Sequence, residues 1–151
     1  MEAPGILIVE DELIIATDLE RMCLNKGYDV LATAATAQEA LEMAREMAPD
    51  LVLMDIVLRE RGDGIETARI IRDERDVPFI FITAHSDEAT IARAKQSGSY
   101  GYLLKPVKAI ELAVAIETAL SRHDVEKKLR ESEQRFSRLA ANSPAIIYQY
   151  R

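Results

Sequence analysis

The sequence predicts an α/β fold, a doubly wound parallel sheet of five strands with helices on both faces, followed by a C-terminal helical extension. Two observations carry this. Short apolar runs alternate five times with longer stretches of helical period, which is the β-α alternation of a parallel sheet. The clearest runs, Ile6-Leu7-Ile8-Val9, Leu51-Val52-Leu53-Met54 and Phe79-Ile80-Phe81-Ile82, are apolar throughout and therefore need cover on both faces.

The elements follow in order. Ile6–Val9 is the first strand, and Glu12 to about Lys26 the first helix, with Ile15, Leu19 and Met22 on one face and Gly27 as its stop. Asp29–Ala34 is the second strand. Ala37–Met47 is helical, and Pro49 blocks its continuation into the third strand, Leu51–Met54. A polar, Gly-containing loop runs from Arg59 to Gly64, and a helix follows from about Ile65 to Asp73. Phe79–Ile82 is the fourth strand. Ser86 is placed to cap a helix from Asp87 to Ser97, which Gly98 ends. Tyr100–Leu104 is the fifth strand, and a last helix begins near Lys108.

The 151 residues are 48% hydrophobic and 30% charged, a globular composition with room for one ordinary domain and an appendage. A net charge of -7 speaks against nucleic acid as a direct partner, because phosphate backbones demand a basic footprint. No apolar run approaches a membrane span, and Met1-Glu2-Ala3-Pro4 has no leader character. The lone Cys23 cannot close an internal disulfide; it reads as a small apolar packing residue and points to a reducing cytoplasm.

Ligands of such sheets bind beyond the carboxyl ends of the strands. Glu10 and Asp11 close the first strand, Asp55 the third, Thr83 the fourth and Lys105 the fifth, so all converge on one rim. Three carboxylates in one place repel one another, and a divalent cation is the simple remedy. Mg²⁺ fits, since it takes one or two carboxylates together with phosphate oxygens. Lys105 is a mobile point charge suited to phosphate, and the Thr83 hydroxyl can hydrogen-bond a phosphoryl oxygen. The constellation describes phosphoryl transfer to a carboxylate. Taken singly, each residue has a plain structural reading: Glu10-Asp11 as a helix-start signal, Asp55 as a turn residue, Lys105 as a solvated charge, Tyr102 as packing. Their joint placement at successive strand ends favours the chemistry.

Ile8-Val9-Glu10-Asp11-Glu12, Pro49 to Asp55, Asp63-Gly64, Ile82-Thr83-Ala84 and Gly101-Tyr102-Leu103-Leu104-Lys105-Pro106 resemble the response-regulator (CheY-like) receiver domain of two-component signalling, over about residues 5–122. The resemblance implies a flavodoxin-like strand order 2-1-3-4-5. It implies Asp55 as phosphoacceptor, charged by a histidine kinase or a phosphotransfer protein. Asp11 would be a direct Mg²⁺ ligand, Glu10 a ligand mostly through water, and the main-chain carbonyl of Val57 a further one. Thr83 and Lys105 would contact the phosphoryl group, Tyr102 would rotate inward on activation, and Lys105-Pro106 would be cis. The chain departs from the common pattern at Arg59, where many receivers carry proline, and in a loop to Gly64 one residue longer. Val57 and His85 stand where water access is tuned; Val57 cannot hydrogen-bond a hydrolytic water, so a long-lived phospho-form is expected.

With the receiver over 1–122, residues 123–140 read as a linker helix. Val125, Leu129, Ser132, Phe136 and Leu139 recur at spacings of four and three, a coiled-coil stripe through which a homodimer would form. Ser132 to Phe136 and Asn142 to Tyr148 resemble the opening of a PAS sensory domain, so 141–151 is expected to begin a PAS unit within a longer protein whose later parts include a histidine kinase. His123-Asp124 has a faint likeness to a kinase phosphoacceptor box but reads better as a solvated linker histidine. Three rival functions fit less well. A dehalogenase-type phosphatase needs a carboxylate where Val57 stands, and a dinucleotide binder needs a glycine-rich loop where Glu10-Asp11-Glu12 stands. A degenerate receiver serving only as an interaction module is disfavoured by the intact set of rim residues.

Overall fold

The computed structural model describes residues 2–58, 62–84 and 88–142. It divides into two compact units, Met1–Leu120 and Ser121–Arg151. The expectations on Arg59, His85 and Ser86, and the PAS-like stretch beyond Asn142, fall outside the described residues.

In chain order the first unit contains β1 (Gly5–Val9), α1 (Leu13–Asn25), β2 (Asp29–Ala34), α2 (Ala37–Met47) and β3 (Leu51–Asp55). There follow β4 (Val57–Leu58), β5 (Gly62–Asp63), α3 (Gly64–Glu74), β6 (Phe79–Thr83), α4 (Glu88–Gln96), β7 (Gly101–Leu104) and α5 (Ala109–Asn142), whose later turns make up the described part of the second unit. The main sheet has the order β2-β1-β3-β6-β7 with every neighbouring pair parallel, which is the expected doubly wound order.

Side chains of successive strand residues point to opposite faces, so each central strand feeds two cores. Leu7, Val9, Val52, Met54, Phe79 and Phe81 pack with Ala40 and Ala44 of α2, Ile65, Ala68 and Ile71 of α3, and Ala94 of α4. Ile6, Ile8, Leu51, Leu53, Ile80 and Ile82 pack with Leu19 and Cys23 of α1 and Leu112, Ile116 and Ala119 of α5. Cys23 is thus an apolar packing residue, as its neighbours in sequence suggest. The edge strands differ from the fully buried runs. Along β2 exposure alternates up to Ala34, and β7 is only half covered, because an edge strand has a paired neighbour on one side alone.

One element departs from the sequence reading. The stretch after Asp55 is not simply a loop: Val57–Leu58 and Gly62–Asp63 form a short antiparallel ladder in which Val57 faces Asp63 and Leu58 faces Gly62. Leu58 is buried, so this ladder closes over the core before α3 begins. Asp63 then caps α3, its Oδ1 accepting from the Ile65 N–H at 2.9 Å. The Lys105-Pro106 peptide is cis. No helix among the described residues is long and apolar enough to cross a membrane.

Candidate functional site

The carboxyl ends of β1, β3 and β6 and the residue after β7 meet at one rim. β1 ends at Val9, and the Glu10 N–H still donates to Ala34 O at 2.9 Å, which holds the main chain in line while the side chain turns to the rim. Asp55 is the last residue of β3 and Thr83 the last of β6, and both are buried. The Ile56 N–H donates to Ile82 O at 3.1 Å and the Lys105 N–H to Thr83 O at 2.9 Å, so main-chain bonds tie the acceptor strand to β6 and β6 to the lysine.

Lys105 spans the cluster. Its Nζ lies 2.9 Å from Asp55 Oδ2 and 2.6 Å from Glu10 Oε1. The other oxygens are held by main chain, Asp55 Oδ1 by the Val57 N–H at 3.1 Å and Glu10 Oε2 by the Glu12 N–H at 3.2 Å. Glu10, Asp11 and Asp55 each offer a carboxylate oxygen within 4.8 Å of the others. Burial pushes the Glu10 carboxyl up to about 7; the Lys105 hydrogen bond pulls against this rise, and the neighbouring Asp55 adds to it. Burial works to lower the Lys105 ammonium, but hydrogen bonds and attraction from Glu10 and Asp55 outweigh it and leave the group above its ordinary value.

The donor set fits a hard divalent cation. Three carboxylates share one ammonium in a largely buried pocket, and all the ligand atoms are oxygens. The Glu10 carboxyl is raised chiefly by burial and further by the neighbouring Asp55, and a bound cation would act against both.

Among the described residues, Glu10, Asp11, Asp55 and Lys105 are brought together at the rim, and Thr83 ends the strand beside them. Val57 stands two residues past Asp55 at the start of β4, about half exposed. Tyr102 stands opposite Phe81 on β7, half-buried against the α2–α4 side of the sheet. Sequence reasoning missed two supports. Gly64 packs on the acceptor strand itself, its N–H donating to Ile56 O at 2.7 Å; a Cβ there would collide with the Asp55 carbonyl oxygen and sit 2.9 Å from Ile56 Cα. The Asp63-Gly64 pair was the available signal. The second is the Val57 N–H, a main-chain donor that carries no mark in the sequence.

Comparisons with known proteins agree with this geometry. Residues 6–117 match the profile of the response regulator receiver domain. The transcriptional regulatory protein PdtaR of Mycobacterium tuberculosis is 41% identical over 117 residues, which cover 78% of this chain and 57% of that protein. The signal receiver domain of a modulated diguanylate cyclase from Desulfovibrio desulfuricans is 40% identical, with a TM-score of 0.77 over 82% of this chain and 98% of that one. The N-terminal domain of a response regulator/sensory box/GGDEF three-domain protein from Carboxydothermus hydrogenoformans is 34% identical, with a TM-score of 0.74 over 81% and 98%. The chain spans about half the length of the curated relatives it matches.

Proposed function

The chain belongs to the response regulator receiver family, and from that membership we propose that Asp55 accepts a phosphoryl group from a phospho-histidine donor and passes a conformational signal through α5. The observation that carries this is Lys105 Nζ at 2.9 Å from Asp55 Oδ2 inside a cluster of three carboxylates. The Val57 N–H fixes Oδ1, which orients the carboxylate and leaves Oδ2 as the attacking oxygen. As the Asp55 oxygen bonds to phosphorus, the P–N bond to the donor imidazole breaks and its electron pair returns to that nitrogen. Lys105 then transfers its hydrogen bond from the carboxylate to a phosphoryl oxygen, and Thr83 donates its hydroxyl to another. Mg²⁺, held by Asp11 and Asp55, by Glu10 through water and by the Val57 carbonyl, would neutralise charge on the phosphoryl oxygens. Drawing Thr83 toward the phosphoryl group opens room beside β7 for the half-buried Tyr102 to turn inward. Val57 can hold no hydrolytic water by hydrogen bonding, which supports a long-lived phospho-form.

The donor is a histidine kinase or a phosphotransfer protein. Exposed Ile14 at the start of α1 lines a groove of about 390 Å³ that reaches Lys105 and Pro106, a surface on which a donor helix could rest its apolar face beside the acceptor. The likeness of residues 132–148 to a PAS opening supports a sensory unit after α5, and the Carboxydothermus relative is a protein with a sensory box.

Treatment with acetyl phosphate and Mg²⁺ is expected to add one phosphoryl group by intact mass. That group should be absent with EDTA or in Asp55→Asn. Undiminished labelling of Asp55→Asn would overturn the assignment.

A further inference from the structure

The turns of α5 that belong to the second unit carry an apolar stripe with a charge pattern that the receiver chemistry does not use. Val125, Leu129, Phe136 and Leu139 are 62%, 58%, 40% and 61% exposed. Their spacing of four, then seven with Ser132 between, then three fixes a heptad frame in which Leu129 and Phe136 are a positions and Val125, Ser132 and Leu139 are d positions. In that frame the positions flanking the seam are sorted by sign. The g positions hold Lys128 and Arg135; the e positions hold Glu126 and Glu133.

From this sorting we infer that the segment Val125–Leu139 pairs in parallel and in register with the same segment of a second copy of the chain. In a parallel pair, a g residue of one helix faces the e residue five positions on in its partner, so each Lys128 meets a Glu133, twice by symmetry. In an antiparallel pair, g faces g and e faces e, which sets Lys128 and Arg135 against each other and Glu126 against Glu133. The same charges attract in one arrangement and repel in the other. Inside one chain Lys128 also lies 3.0 Å from Asp124, a solvent-exposed i,i+4 pair of the kind that exchanges partners at little cost. Ser132 at a central d position weakens the seam, so the pairing is modest in strength and its direction depends on the flanking charges.

Two experiments on the full chain test this without reference to phosphorylation. In sedimentation equilibrium, Lys128→Glu and Glu133→Lys should each weaken self-association about tenfold, and the double variant should return it to near the parent's value. Antiparallel pairing predicts the reverse sign for Lys128→Glu, because a new g–g attraction would tighten association. In the second, Val125→Cys is oxidised under mild conditions, with the parent as control since Cys23 is buried. The parallel pair brings the two copies of residue 125 together and yields a disulfide-linked dimer, whereas an antiparallel pair sets residue 125 beside residue 136 and yields none. A monomeric parent at high concentration, a tightened Lys128→Glu variant, or no cross-link through residue 125 would each overturn the inference.

Discussion

Gly64 meets the main chain of the acceptor strand so closely that the residue type there is set by space, not by backbone freedom. A methyl group would strike the Asp55 carbonyl and Ile56 Cα, neither of which can step aside without moving the acceptor. Gly64→Ala should therefore lower stability by about 3 kcal/mol, at the upper end for overpacking, and cut the acetyl phosphate labelling rate of Asp55 as well. Urea unfolding and intact-mass kinetics measure the two effects; a variant as stable and as readily labelled as the parent would show that the contact can relax. At this scale the rim was legible from the chain, because Glu10, Asp11, Asp55, Thr83 and Lys105 are each the residue that ends or follows an apolar run. The supports were not. The Val57 N–H and the Ile56 carbonyl belong to the main chain, which every residue carries, so only the fold reveals which of them point inward.

Helix α2 shows how an element's limits are written in side chains. Thr36 Oγ1 accepts from the Glu39 N–H at 3.1 Å, while Glu39 Oε2 reaches back to accept from the Ala35 N–H at 2.9 Å, a reciprocal cap that fixes the first turn. At the other end Ala48 takes a left-handed conformation ahead of Pro49, which turns the chain into β3. Thr36→Ala is expected to cost about 1 kcal/mol, read as a lower urea midpoint with an unchanged slope. A change in slope instead would mean that α2 melts separately from the sheet. The expected ranges of β2 and α2 coincide with the observed ones because their ends carry such signals. The β4–β5 ladder escaped the sequence reading, since two-residue strands are too short to display a period of two. The wet faces of β2 and β7 escaped it too: position in a sheet is a property of topology, and a lone strand does not announce that it will be an edge.

At the scale of the whole first unit, the sheet separates two cores, and the one under α1 and α5 encloses Cys23. Burial pushes that thiol from an ordinary value of 9.0 up to about 11, with Glu20 adding a smaller push. The folded state thus prefers the protonated thiol. Its contribution is fully present below pH 9 and is lost as pH rises through about 11, where the unfolded chain gains by ionising first. Cys23→Ala should consequently flatten the fall in stability between pH 9 and 11, whatever it costs in packing at pH 7. Thermal melts of both proteins across that window provide the check, and parallel pH profiles would exclude Cys23 as the source. Alkylation of the native protein at pH 8 should proceed only as fast as global unfolding exposes the sulfur.

The main-chain bond from the Lys105 N–H to Thr83 O closes the site with the residue that follows the last strand of the sheet to be made. On a ribosome, Glu10, Asp11 and Asp55 emerge well before Lys105, and until β7 takes its place beside β6 the acidic residues have no ammonium to face. A nascent chain on the proposed reading is therefore uncharged by any donor until the sheet is complete. On that reading, the phosphoryl mark reports a completed sheet.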